Sequence, residues 1–291
     1  MTISGGAASG LALLAAMVWG TSDFLGGMVT RRATPGIILL IAHGMGLLAL
    51  LAIMLAHPVG RLPTRHTVEF GLIAGLAGGI GLLALYKALS LGSMGLVAAL
   101  SGVLTAVVPV LVSFFSEGRP SLLKMAGFAV AVAAIWLIAY TPATDVHPHG
   151  LWLAVLAGIC FGILLVFLHL AGKDNVLWAL TFSRVASASC ALILILITAK
   201  KLRPRQAADG TGIRWRAVFP LATAAGLLDT LGNVLYTASS LAGRLDVAAV
   251  LSSLYPAGTI LLAIWLLRER ATRSQTAGMA LAMVAVAMIS A

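Results

Sequence analysis

Ten apolar stretches of about 20 residues run through this chain, each bounded by charges, prolines or polar clusters. They cover 8–29, 35–56, 68–90, 94–115, 121–140, 150–171, 177–199, 215–241, 246–267 and 274–290. A run of that length is what an α-helix needs to cross the hydrocarbon of a bilayer. A helix also satisfies its backbone polar groups internally where water is absent. The pattern predicts an all-α membrane protein with ten transmembrane helices. Connections between the runs are short, and the longest, 200–214, is polar and basic. No Lys or Arg precedes Arg31, so the basic flank of a cleavable leader is missing and the first run is expected to be a retained helix.

Composition agrees and narrows the partners. The chain is 60% hydrophobic and 10% charged, with a mean hydropathy of +1.05, whereas soluble domains carry about a quarter charged residues. The formal charge is +10, from 19 Lys and Arg against 9 Asp and Glu. These basic residues punctuate apolar runs, which points to anionic lipid headgroups and away from nucleic acid. Cys160 and Cys190 both fall inside apolar runs and read as small hydrophobes, not as a disulfide or metal framework.

The chain is also internally repeated. Leu85 to Ala99 (LYKALSLGSMGLVAA) matches Leu235 to Ala249 (LYTASSLAGRLDVAA) at 8 of 15 positions. A shift of 151 aligns Ala126, Gly127, Ala131 and Ile138 with Ala277, Gly278, Ala282 and Ile289, and a shift of 142 aligns Gly20 with Gly162. The segment TPATDVHPHG (141–150) is the natural joint, giving halves 1–145 and 146–291 with five spans each. Because five is odd, the second half is expected to be inverted relative to the first, a plan common among secondary transporters. Gly71 and Gly75 stand at GxxxG spacing, which lets helices approach closely in lipid. Pro109 and Pro256 fall in corresponding spans four and nine, where each is expected to bend its helix.

Polar groups deep in lipid are costly, so each one needs a reason. Asp229, Asn233 and Tyr236 share one face of span eight, with the acid near mid-span. Asp23 lies in the second half of span one after Trp19, and His43 sits near the middle of span two. A buried carboxylate satisfied by its neighbours is the plain reading of Asp229; the functional one is a cavity acid that holds a substrate ammonium or a proton. His43 is either a hydrogen-bonded bundle histidine or a proton-coupling group. Arg184 either pairs with an acid or a substrate carboxylate, or snorkels to the interface. Trp136, Trp178, Trp215, Trp265 and Tyr255 suit an interfacial belt, while Tyr86, Tyr236 and Trp19 are expected beside the central cavity. His147 and His149 read as loop residues, and the sequence has no HExxH, GxSxG, Walker A or CxxC signature.

Ten spans in two halves, the first-span sequence LLAAMVWGTSDFLGG, Trp19-Gly20 with Phe161-Gly162, and Glu117 and Glu269 ahead of Gly127 and Gly278 resemble the drug/metabolite transporter superfamily, EamA type. The resemblance implies a multi-pass protein of the cell inner membrane with a central cavity and alternating access. It also implies cytoplasmic termini. That orientation places six basic loop residues inside and twelve outside, the reverse of the positive-inside rule.

The expected function is export of small amphipathic metabolites, amino acids foremost, through a site of Asp229, Asn233, Tyr236, Tyr86, Trp19, Asp23 and His43. No cofactor and no metal are implied. Partners are a small-molecule substrate and the lipid bilayer, with protons a candidate coupling ion, and the oligomeric state (monomer or homodimer) stays open. The rivals in the same class are a multidrug or cation exporter and a sugar or metabolite uptake permease. A membrane-embedded enzyme using Asp23 and Asp229 as an acid pair is the rival from a different class.

Overall fold

The computed structural model describes residues 5–30, 33–89, 91, 94–139, 148–198, 215–266 and 272–290. Among them are eleven helices: α1 (Gly5–Thr30), α2 (Pro35–Ala56), α3 (Arg65–Leu89), α4 (Met94–Ser116), α5 (Leu122–Ala139), α6 (Pro148–Gly172), α7 (Val176–Thr198), α8 (Trp215–Ala242), α9 (Leu245–Ser252), α10 (Tyr255–Leu266) and α11 (Arg273–Ser290). Six of these, α1 to α3 and α6 to α8, are long and apolar enough to cross a membrane. Shorter apolar helical runs occupy Leu100–Ser116 and Leu122–Ile138. His149 belongs to the first turn of α6, while His147 and Glu269 lie outside the described residues.

Nine of the ten predicted runs coincide with single helices to within a few residues. The exception is 246–267, which is broken at Ser253 and Leu254 into α9 and α10. Pro256 explains the break, because it has no N–H to donate back to Ser252 and disfavours helical geometry at the residue before it. The chain turns there through shorter bonds, Leu254 N–H to Leu251 O at 3.3 Å and Ala257 N–H to Leu254 O at 2.9 Å. Pro256 then sits in the first turn of α10, where a missing N–H costs nothing. Pro109 lies inside an unbroken α4, so the two prolines do not make the same feature in the two halves.

Helix packing is reciprocal between the halves. Helix α3 packs on α6 as α1 packs on α8, and α3 meets α7 as α2 meets α8. The closest crossings rely on missing side chains. A Cβ at Gly75 would overlap the Ser183 carbonyl, and one at Gly226 would overlap the Ala42 carbonyl. Likewise a Cβ at Gly81 would lie 2.9 Å from the Phe161 ring and one at Gly232 2.5 Å from the Trp19 indole. At the α5–α11 contact, Gly127 faces Ile289 and Gly278 faces Ile138, each with a clearance of 2.7 Å for an added Cβ. In lipid, where apolar burial drives little association, such backbone proximity is what packs helices together.

Hydroxyls add hydrogen bonds across the same seams. Ser22 donates to Ala225 O at 2.8 Å, Ser239 to Ala8 O at 2.7 Å and Thr259 to Gly20 O at 3.0 Å.

Two pairs of connections meet at the helix ends. The Thr64 and Thr67 hydroxyls donate to Asp174, and Trp178 Nε1 donates to Arg61 O at 3.0 Å. Elsewhere the Glu117 carboxylate accepts the Leu245 N–H at 3.1 Å, satisfying a free donor at the start of α9. Arg244 donates to Gly118 O at 2.9 Å, and Gly118 takes a left-handed φ of 81° that suits glycine. The same guanidinium pairs with Asp246 at 2.8 Å.

Gly226→Ala should therefore lower stability by about 1–3 kcal/mol, the usual range for overpacking. Gly44→Ala, where an added Cβ meets nothing within 4 Å, should be neutral or mildly stabilising. Thermal unfolding of the two purified variants in detergent compares them directly.

Hydrogen bonds from Thr64 and then Thr67 hold the Asp174 carboxyl below its usual range. A lowered folded-state pKa gives stability that is present above 3.8 and lost as pH falls through the folded value. The unfolding midpoints of wild type and Thr64→Val/Thr67→Val should thus differ near neutral pH and converge in strong acid.

Candidate functional site

The helix crossings set the geometry of one cavity, about 60 Å3 in volume. Trp19 and Asp23 reach it from α1, His43 from α2, Arg184 and Ser187 from α7, Asp229 and Asn233 from α8, and Tyr255 from α10. Gly75, Gly78 and Leu82 of α3, Thr105 of α4, Phe161, Leu164 and Leu165 of α6 and Ser183 of α7 complete the wall. A volume of that size holds a few water molecules at roughly 10–15 Å3 each.

Asp229 is the hub. Its Oδ2 lies 2.6 Å from Arg184 Nη1, 3.4 Å from His43 Nε2 and 3.4 Å from Asn233 Nδ2. Arg184 is 3% exposed and the Asp229 side chain 27%, so the acid keeps contact with the cavity while the base is enclosed. Away from water, an ion pair needs this close geometry to offset the loss of hydration of both charges. On its other side His43 Nδ1 meets Ser187 Oγ at 2.7 Å. The Ser187 hydroxyl also donates to the Arg184 carbonyl at 3.3 Å, while His43 Nε2 lies near Asp229 without making a hydrogen bond, so the four residues form one compact polar cluster.

The repeat explains why these side chains converge. Ala42 and Ser183, whose carbonyls abut Gly226 and Gly75, are 141 positions apart. The residue after each is basic, His43 in one half and Arg184 in the other. Three residues beyond each crossing glycine stand Gly78 and Asp229. Two bases thus share one acid, and the fourth equivalent position, Gly78, carries no side chain and is packed against by Leu164.

Of the residues expected at the site, Asp229, Asn233, Trp19, Asp23 and His43 line the cavity. Tyr86 and Tyr236 stand behind the lining. Tyr236 is fully buried, donates its hydroxyl to Leu165 O at 3.1 Å and packs on Trp19 with ring centroids 5.8 Å apart. Tyr86 fills an apolar cluster with Val29, Ile38, Val218 and Ala222, its hydroxyl against Gly26. Tyr255, assigned to the belt from sequence, lines the cavity instead, whereas Trp136, Trp215 and Trp265 are exposed on the outer surface. Arg184 does not snorkel: the Asp229 carboxylate and the helix crossing at Ser183 keep it inside. Asp23 forms no ion pair among the described residues.

A helical bundle with charged groups enclosed between two halves is the architecture of a membrane carrier for small molecules. The family model of the EamA-like transporter family matches the chain twice, over residues 7–140 and 148–291. The protein belongs to that family and is a multi-pass membrane transporter of small molecules.

One solved structure, titled only as the crystal structure of a protein, is similar to this chain with a TM-score of 0.75 and 18% sequence identity. It covers 97% of this chain and 96% of that one, and at that identity the likeness shows the fold alone. No curated protein sequence matches the chain.

Arg184→Leu should destabilise the protein by about 3–5 kcal/mol, because it strands Asp229 without its counter-charge. The double variant Arg184→Leu/Asp229→Leu should regain most of that loss. A double-mutant cycle on unfolding midpoints measures the coupling; additive single effects would show that the pair contributes nothing.

Proposed function

We propose that this protein exports small amphipathic metabolites, amino acids foremost, across the cell inner membrane by alternating access. In this reading all ten sequence runs cross the bilayer, α9 and α10 together forming the ninth, and the two five-span halves are inverted relative to each other. The reciprocal glycine crossings support it, since α3 on α6 is matched by α8 on α1 and α3 on α7 by α8 on α2. The observation that carries the functional reading is the enclosed Asp229–Arg184–His43 cluster at the junction of the halves. Charges held in lipid at such a place serve a polar cargo.

Asp229 is occupied by Arg184, so the substrate ammonium is assigned to Asp23, with Trp19 and Phe161 against its apolar part. A cavity of a few waters is too small for an amino acid. The halves therefore part to admit the cargo and close around it. His43 and Asp229 offer a proton a place to bind, which makes proton coupling part of the proposal. Export of organic cations is the second reading, favoured by Asp23 alone. An acid-pair enzyme is disfavoured, because Arg184 neutralises one of the two acids.

Reconstituted vesicles loaded with a labelled amino-acid panel test the proposal, comparing wild type with Asp229→Asn with and without a pH gradient. Saturable movement of unchanged substrate, reduced at least about tenfold in the variant, is expected. A response to the gradient would add the proton. Folded wild-type protein that moves no amino acid but moves organic cations would transfer the reading to cation export. Full transport by Asp229→Asn would make that acid structural.

A further inference from the structure

Arg184 carries five N–H donors on a planar guanidinium, and Asp229 engages it through Nη1. Nε and Nη2 are both buried and have no hydrogen-bond partner among the described residues. Enclosed donors on a cation are costly to leave unpaired, and native proteins rarely do so without a use for them. These two are not an arbitrary pair. Nε–H and Nη2–H point in the same direction from one edge of the guanidinium, and that edge matches the two oxygens of a carboxylate in a bidentate fork. Arg184 lines the cavity, and its own counter-ion leaves that buried edge unpaired.

The surroundings agree. Asp229 approaches from α8 and His43 from α2, so the polar side of the cluster is taken. On α3 the position equivalent to Asp229 is Gly78, which supplies no second acid. The crossing beside Arg184 is built from Gly75 and Ser183, which are both small. Asp23, the remaining acid in the wall, has no ion-pair partner among the described residues.

We infer that the Nε/Nη2 edge of Arg184 is the carboxylate subsite of the cavity, with Asp229 holding the guanidinium through Nη1 so that its side-on edge faces the cargo. The substrate class is then a molecule with a planar carboxylate at one end, and in the amino-acid case an ammonium directed to Asp23. This deepens the export reading and rests on the same cavity. Asp229 acts as a positioning residue that neither holds the cargo nor competes for its carboxylate.

Binding to the purified full-length protein in detergent tests the subsite, using three probes with a common ring: L-phenylalanine, 3-phenylpropionate, which lacks the ammonium, and phenethylamine, which lacks the carboxylate. The key variant is Arg184→Lys, which keeps a charge for Asp229 but has no planar fork. It should weaken both carboxylate probes by about tenfold or more and leave phenethylamine unchanged. Asp23→Asn should do the converse, weakening the two amines and sparing 3-phenylpropionate. Should Arg184→Lys fail to fold, Arg184→Gln/Asp229→Asn removes both charges together and carries the same expectation.

Wild-type affinity for the carboxylate probes in a folded Arg184 variant would overturn the inference. If wild type ignores phenylalanine but binds acetate, succinate or 3-phenylpropionate through Arg184, the subsite stands and the amino-acid reading falls. If wild type binds phenethylamine and no carboxylate of any size, the subsite falls and transport of cations remains.

Discussion

Everything in this molecule depends on how closely two backbones can approach when one carries no side chain. At Gly75 and Gly226 a neighbouring carbonyl occupies the space where a Cβ would be. Those two contacts fix the height and rotation of α7 on α3 and of α2 on α8. Because His43 and Arg184 directly follow the touching carbonyls, the same contacts aim both bases at the cavity. In a bilayer, where lipid tails solvate leucine as well as a protein core does, contact distance does what hydrophobic burial does in water.

Symmetric packing supports an asymmetric site. The two halves place four equivalent positions around the cavity, and the sequence fills them as histidine, arginine, glycine and aspartate. A strictly symmetric filling would set two like charges against each other or leave two acids facing two bases. The glycine at the fourth position, Gly78, breaks that balance, and the cavity wall on the α3 side is uncharged.

Much of this was legible from the chain alone. Runs of apolar residues gave the helices nearly residue by residue, because length and hydropathy leave few other choices in lipid. The polar exceptions within those runs gave Asp229, Asn233, Asp23 and His43, since cost marks such residues out. Arg184 was harder. A long basic side chain in an apolar run can reach an interface, and only the three-dimensional crossing at Ser183 decides against it. A signal was present in the equal spacing of Ala42-His43 and Ser183-Arg184, but few identities surround it and the offset is not that of the stronger repeats. Tyr86 and Tyr236 misled for the opposite reason: repeat matching marks residues that matter, and these two matter for packing behind the wall. Pro256 was read as a bend, and whether a helix bends or breaks depends on what its neighbours offer the freed carbonyls.

The short distance between Arg184 and Asp229 also has an electrical consequence. At 2.6 Å the two charges form a compact dipole with no net charge, so a transmembrane voltage exerts almost no net force on the pair. A cargo with one positive and one negative end is equally silent. A voltage acts instead on unbalanced charge, since each elementary charge carried through the field is worth about 2.3 kcal/mol per 100 mV. Within the cavity the enclosed pair is therefore electrically silent, and a voltage acts only on the charges outside that pair.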